Sequence, residues 1–274
     1  MPEKPEVVTV SKMLNKELVG KEITGCNIYH DGIIVYPKVS LFKNEIIGQK
    51  VEEVTTRGKW IVIKLTTKVL LVHLRMEGKF FFREIGEEKL SHEHVEFILD
   101  DLVSFRYHDV RKFGKMHLLD KSNYLDVAPL NKLGVEYNDK ILTGRYLRDI
   151  IIDIHKPIKN ILLDQSIITG IGNIYVNEIL YLSKISPRRC CIDVKRDDCE
   201  EIVKNTKLVL DKAIKAGGTT IKSFTSSEGV HGLFQQQLKV HGKEGKACPV
   251  CGKTIVKIKL FGRGTYMCPL CQKW

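Results

Sequence analysis

A chain of 274 residues, 43% hydrophobic and 28% charged, has the composition of a folded globular protein, with enough length to bury a core in each of two domains. Lysine and arginine outnumber aspartate and glutamate by 44 to 33, a formal charge of +11, so a polyanion such as nucleic acid is the expected partner. No apolar run approaches the roughly 18 residues that span a bilayer. The opening Met1-Pro2-Glu3-Lys4-Pro5-Glu6 has no apolar leader, so the expectation is a cytoplasmic protein with reduced thiols and no membrane partner.

Val7, Val10, Met13 or Leu14, and Leu18 recur at helical spacing, Pro5 suits a first turn and Gly20 a stop, which predicts a helix over 5–18. From Lys21 to Asp120 the texture changes to short β-type runs at 23–29, 60–65, 69–74, 79–83, 95–99, 103–107 and 115–119. Asp31-Gly32, Arg57-Gly58, Glu77-Gly78 and Gly86 punctuate them, and many short strands with tight turns predict a β-sandwich or barrel. Beyond Asp120 the pattern turns helical: 143–154 with Thr143 as cap, 173–182, and 197–216 closed by Gly217-Gly218. Residues 219–237 are polar and glycine-containing, as a long loop would be. The expected fold is α+β, with an N-terminal β-sandwich and leading helix over 1–130, a helical domain over 131–235 and a terminal hairpin over 236–274.

That hairpin carries Cys248-x-x-Cys251 and Cys268-x-x-Cys271, sixteen residues apart. Two residues between thiolates let both sulfurs of a pair meet one ion, and the intervening stretch is long enough to fold back. Four thiolates complete a tetrahedron and leave no place for water, so one structural Zn2+ is expected; two disulfides are the rival reading. Lys253, Lys257, Lys259 and Arg263, the last between Gly262 and Gly264, make the hairpin a basic clamp for an anion. Cys26, Cys190, Cys191 and Cys199 show no ligand-like pattern and are expected to be reduced.

The other terminus offers reactive chemistry. Removal of Met1 would leave Pro2 as a secondary amine. An α-amino group titrates near pH 8, so a useful neutral fraction exists at neutral pH, enough to attack an aldehyde or acetal carbon. Glu3 and Glu6 stand close enough in sequence to give a proton or hold the amine, although Pro and Glu at a helix start also serve as ordinary capping residues.

Met1-Pro2-Glu3-Lys4-Pro5-Glu6-Val7, then Leu163-Asp164-Gln165 with Gly170-Ile171-Gly172-Asn173-Ile174-Tyr175-Val176-Asn177-Glu178, then the cysteine quartet, follow one another along essentially the whole chain. Together they resemble formamidopyrimidine-DNA glycosylase, the bacterial family that repairs 8-oxoguanine. The resemblance implies a base-excision repair enzyme, glycosylase and AP lyase in one, acting as a monomer on damaged double-stranded DNA, with a helix-two-turn-helix and a four-cysteine zinc ribbon in the second domain. It implies that Pro2 attacks C1′ of the damaged nucleotide, that Glu3 supplies the proton and Glu6 supports the amine. Lys59 would contact the phosphate beside the lesion and aid elimination, and Arg263 would grip the flanking phosphates. His73, His92, Lys159 and Asn173 fall at DNA-contacting positions, while Met76, Arg111 and Phe113 match the side chains that fill the gap left by the extruded base. Thr219, Thr220 and Ser223 match the loop that folds over that base, and Glu77 lies at a position near it. Lys4, Val8, Val110 and Lys112 depart from the family pattern at positions without a chemical role. Ile154 stands where a basic residue is usual, which passes that phosphate contact to His155 or Lys156 or loses it. Two rivals stay open: an endonuclease VIII-like enzyme for oxidised pyrimidines, sharing Pro2, Glu3 and the ribbon, and a zinc-ribbon DNA-binding protein without catalysis.

Overall fold

The computed structural model of the chain describes residues 1–100, 102–219 and 232–273. It divides into two compact units, Met1–Asn131 with Gly217–Gly232, and Lys132–Ala216 with Leu233–Trp274.

The first unit begins with α1 (Lys4–Leu18), followed by β1 (Glu22–Ile28), β2 (Ile34–Tyr36), α2 (Val39–Ile46), β3 (Gln49–Arg57), β4 (Trp60–Leu65), β5 (Lys68–His73), β6 (Lys79–Glu84), β7 (Glu93–Leu99), β8 (Val103–His108) and β9 (Lys115–Asp120). The strands run β2-β9-β5-β4-β3-β1-β7-β8-β6, so β1 joins a five-stranded part to a four-stranded part. Ile61, Ile63, Leu70 and Val72 from one part share a core with Val95, Phe97, Phe105 and Tyr107 from the other, which is sandwich packing. Helix α1 buries Val7, Val10, Leu14 and Leu18 in the same core, and the Val54 N–H donates to Asn15 Oδ1 at 2.8 Å to pin it to β3.

Strand β3 is not predicted, and its register explains why. A bulge between Val51 and Glu53 puts Val51 and Val54 on the buried side three residues apart, so the alternation that marks a strand is broken. Helix α2 is likewise unpredicted, with only Phe42 and Ile46 buried along its length.

The second unit holds β10 (Val135–Glu136), α3 (Gly144–Ile151), α4 (Ile158–Leu162), β11 (Ile168–Thr169), α5 (Asn173–Leu182), α6 (Arg196–Lys215), β12 (Val256–Leu260) and β13 (Arg263–Met267). Thr143 caps α3 as expected, its Oγ1 accepting from the Tyr146 N–H at 3.1 Å. Helix α5 is buried on nearly every side, with Tyr175, Val176, Ile179 and Leu180 fully inside. Strands β12 and β13 form an antiparallel pair in which Leu260 faces Arg263. Phe261 and Gly262 both have positive φ (46° and 74°), the two-residue turn whose twist matches a hairpin. No helix among the described residues is long and apolar enough to cross a membrane.

Candidate active site and nucleic-acid interface

In the first unit, Pro2, Glu3, Lys4 and Glu6 are all buried at the start of α1. The Glu3 N–H donates to Glu6 Oε2 at 2.8 Å, half of the reciprocal cap that starts a helix. Glu6 Oε1 accepts from both the N–H and the hydroxyl of Thr219, at 2.8 and 3.0 Å. Burial lowers the Met1 amine below its ordinary value; Glu3, Glu6 and Glu77 act against that shift and Lys59 adds to it. The fold therefore assembles Glu3, Glu6, Lys59 and Glu77 around the first residues of the chain. Lys59 is 6% exposed and directly precedes β4, after Gly58 turns the backbone at φ 56°. Lys4 is turned inward, its Nζ donating to Thr56 Oγ1 at 3.0 Å. Thr219 is brought to this cluster, whereas Thr220 and Ser223 lie outside the described residues.

His73 Nδ1 accepts the Arg75 N–H at 3.0 Å, and its ring stands edge-on to Trp60 at 4.8 Å. Burial pushes its pKa down to about 3, with Arg75 and Lys59 adding to the effect. The imidazole is therefore neutral at physiological pH, and its hydrogen sits on Nε2, where it can be donated to a phosphate.

Met76 and Phe113 are exposed, at 36% and 47%, and the Arg111 guanidinium lies 4.7 Å over the Phe113 ring. With Met1, Arg75, Lys112 and Lys115 they line a cavity of about 450 Å3. The loop bearing Arg111 and Phe113 is shaped by Asp109, which is fully buried. Its carboxylate accepts from the N–H groups of Arg111 (3.0 Å), Phe113 (2.9 Å) and Gly114 (2.8 Å) and from the Tyr107 hydroxyl (3.3 Å). A Cβ at Gly114 would run into that hydroxyl, so glycine is required there. Sequence reasoning missed Asp109; its one signal is an acidic residue opening a turn that ends in glycine.

His92 is exposed with φ 68°, and its ring lies 6.5 Å from His94 and 5.8 Å from His108. His94 Nε2 is hydrogen-bonded to the Asp109 carbonyl at 2.8 Å. The loop before β7 is held by Arg106, which donates to the carbonyls of Glu87 (2.7 Å) and Glu88 (3.2 Å) and pairs with Glu93 and Glu96.

In the second unit the polar residues face inward. Lys159, expected at DNA, is 1% exposed. Helix α4, which the sequence does not predict, turns its Nζ onto Asn177 Oδ1 (3.0 Å), the Gly264 carbonyl (3.3 Å) and Thr265 Oγ1 (2.8 Å). Asn173 is the first residue of α5; its Nδ2 donates to the Gly264 carbonyl at 3.1 Å, and its buried Oδ1 has no partner among the described residues. Asn177 Nδ2 donates to His241 Nδ1 at 2.8 Å, and burial pushes that imidazole down to about 4, with Lys159 adding to the shift. The buried Glu178 accepts the N–H groups of Lys239, Val240 and His241 at 2.8–3.0 Å. All these bonds fix the segment leading into the terminal hairpin and the strand that begins at Arg263, whose own side chain is exposed.

The Sγ atoms of Cys248, Cys251, Cys268 and Cys271 all lie within 4.8 Å of one another, with Cys248–Cys271 at 3.8 Å and Cys251–Cys268 at 3.5 Å. Zinc–sulfur bonds of about 2.3 Å in a tetrahedron put sulfurs about 3.8 Å apart, so the donor set fits a closed four-thiolate zinc site. This is the one group of metal-ligating side chains among the described residues, and the histidines of β7 do not join it.

Comparison with known proteins covers the chain from end to end. Residues 1–116 match the formamidopyrimidine-DNA glycosylase N-terminal domain, 133–225 its H2TH domain, and 245–273 the zinc finger found in FPG and IleRS. The chain is 39% identical to a formamidopyrimidine-DNA glycosylase of Bacillus cereus, over 99% of each, and 40% identical to one of Oceanobacillus iheyensis, over 99% of this chain and 98% of that one. Among solved structures, a Lactococcus lactis FPG variant bound to Fapy-dG-containing DNA superimposes with a TM-score of 0.94 at 32% identity, covering both chains fully. A MutM complex with DNA containing carbocyclic 8-oxo-G gives 0.92 at 33%, and wild-type Lactococcus lactis FPG on DNA with an oxidised pyrimidine gives 0.92 at 32%, again over both full chains.

Proposed function

The chain belongs to the formamidopyrimidine-DNA glycosylase family, and from that premise we propose that Pro2, freed by removal of Met1, is the nucleophile of a base-excision repair reaction on oxidised purines. The protein is a DNA glycosylase with AP lyase activity. The observation that carries the assignment of roles is the buried cluster of Pro2, Glu3, Glu6 and Lys59.

The steps follow from that cluster. The Pro2 nitrogen forms a bond to C1′ as the bond from C1′ to the base breaks, and Glu3 gives the proton that the leaving base or ring oxygen needs. Opening of the sugar leaves an iminium, which acidifies the C2′ hydrogen; loss of that proton expels the 3′ phosphate, and a second elimination expels the 5′ phosphate. Glu6, bonded to the Glu3 N–H and to Thr219, holds the segment rather than moving a proton. Lys59, and His73 through Nε2–H, hold phosphates next to the reacting sugar. Met76, Arg111 and Phe113 fill the space left by a base turned out of the stack, a step this class of enzyme requires. His92 adds a backbone contact. Arg263 grips phosphates from the hairpin turn, and Lys159 and Asn173 serve by fixing the strand behind it. Zinc, held by Cys248, Cys251, Cys268 and Cys271, supplies a cross-link and no chemistry. The working form is proposed to be a monomer in the cytoplasm, held on DNA by its +11 charge.

Borohydride reduction during incubation with 8-oxoguanine duplex is expected to trap a covalent complex with the processed protein and none with Pro2→Gly; equal trapping by both would remove Pro2 from the reaction. Since one FPG has been solved on an oxidised pyrimidine, excision rates on 8-oxoguanine paired with cytosine and on thymine glycol are compared on the same preparation. Faster removal of thymine glycol would favour the endonuclease VIII-like reading.

A further inference from the structure

The Tyr181 hydroxyl lies 3.2 Å from Cys248 Sγ. Tyr181 is 5% exposed and Cys248 3%, and both belong to one small apolar cluster with Val240, Ile255 and Cys268. A phenol in such a place needs a hydrogen-bond partner, and among the described residues Cys248 is the one it has. Between two neutral groups, either could donate. A zinc-bound thiolate has no hydrogen, so with the metal in place the direction is fixed: the phenol donates and the sulfur accepts.

We propose that Tyr181 is an outer-shell residue of the zinc centre, whose hydroxyl donates to the Cys248 thiolate and ties the metal to α5. Such a bond does two things. It sets the direction of the sulfur lone pairs, and so the angle at which Cys248 meets the ion; and it withdraws charge from that sulfur, making it a poorer target for acids and electrophiles. Its position along the helix gives it a further reach. Asn173, Asn177, Glu178 and Tyr181 all stand on α5 and all bond to the segment that runs from Lys239 through the cysteines to β13. At the far end, Gln272 donates to the Ile185 carbonyl at 2.9 Å and accepts the Cys268 N–H at 2.8 Å. Tyr181 is the member of this set whose side chain reaches the sulfur of a metal ligand, so it links the metal site to the helix that carries Asn173.

The inference rests on the zinc reading, and its test needs no DNA and no turnover. Full-length wild type and Tyr181→Phe are loaded with zinc, and transfer of the metal to the chromophoric chelator 4-(2-pyridylazo)resorcinol is followed. The variant is expected to hold zinc on the order of tenfold more weakly, the lower end of what loss of an outer-shell partner costs. With cobalt(II) in place of zinc, the sulfur-to-metal charge-transfer band is expected to shift in the variant, which loss of packing alone would not cause, because phenylalanine keeps the ring. Zinc affinity within about twofold of wild type, with an unmoved cobalt band, would overturn the proposal. If Tyr181→Phe does not fold, cobalt-loaded protein made with 3-fluorotyrosine replaces it: the stronger donor must move the band, and an unmoved band overturns the proposal. Wild-type protein that takes up no metal sinks the zinc reading instead, a result distinct from either.

Discussion

The cavity rim of the first unit and the hairpin support of the second place their side chains in opposite ways. The first leaves Met76, Arg111 and Phe113 in solvent around a cavity of about 450 Å3, where its own fold has no need of them. The second hides Lys159, Asn177, Glu178, Thr265 and Gln272, each at most 3% exposed, in hydrogen bonds that converge on one hairpin. Apolar groups left in water signal a partner to come, whereas polar groups taken out of water signal that something must be held in place. The cavity rim thus suits the contact proposed for it, and the buried network suits the holding of the hairpin.

Removing zinc strikes the second unit hardest. A structural four-cysteine site contributes on the order of 10 kcal/mol to folding, so chelation or Cys268→Ser is expected to unfold the hairpin and abolish DNA binding. Circular dichroism should show the β signal of the first unit surviving; joint melting of both units would erase the contrast. Next in size is Pro2→Gly, expected to cut base excision by about 10³ or more while DNA binding by gel shift stays within a few-fold.

Lys159→Met tests whether burial means positioning. The change removes three buried hydrogen bonds and strands Asn177 Oδ1, while the Gly264 carbonyl keeps Asn173 Nδ2 and Thr265 Oγ1 keeps the Arg263 carbonyl; it is expected to cost about 3 kcal/mol in urea unfolding of the second unit. A residue touching a phosphate would also lower the slope of log affinity against log salt by about one; the slope is expected to stay as it is, and a drop would return Lys159 to the DNA. Arg111→Ala should do the reverse. Stability should move by less than about 0.5 kcal/mol, while discrimination between cytosine and adenine opposite the lesion falls by about 1–3 kcal/mol, read from paired excision rates.

At neutral pH the last effect is silent, and it emerges only in acid. His73 has its pKa depressed to about 3 by burial, so between pH 6.5 and 3 the unfolded chain binds a proton that the folded one refuses. Its contribution is fully present above pH 6.5 and is lost as pH falls, with a slope of up to about 1.4 kcal/mol per pH unit. His73→Gln should flatten that limb of the stability curve by one proton; an unchanged limb would mean that the imidazole is not held neutral.

Much of this was legible in the residues. Trp60–Leu65 and Asn173–Leu182 form where their patterns place them, because in each a run of apolar residues matches the period of one element. The cysteine spacing pointed to its metal geometry for the same reason: both ends of the chemistry are local. Where the sequence misled, the deciding contact was distant. The resemblance puts Lys159 at the DNA, whereas α4 turns its Nζ onto the Gly264 carbonyl, 105 residues away. Glu178 is assigned no role from the sequence, yet it accepts three N–H groups from residues 61–63 positions later. Residues that hold other residues leave no periodic trace, because many of their partners are distant backbone groups, which carry no side-chain signature.

Asp109 has a consequence for the timing of recognition. Three loop amides and a phenol already converge on its carboxylate in the free protein, so the backbone presenting Arg111 and Phe113 has its shape before a duplex arrives. Ordering one residue costs about 1–2 kcal/mol of chain entropy, and here that loss was settled when the protein folded. In the role proposed for Arg111 and Phe113, a loop prepared in this way adds no ordering cost of its own to each trial of a base pair.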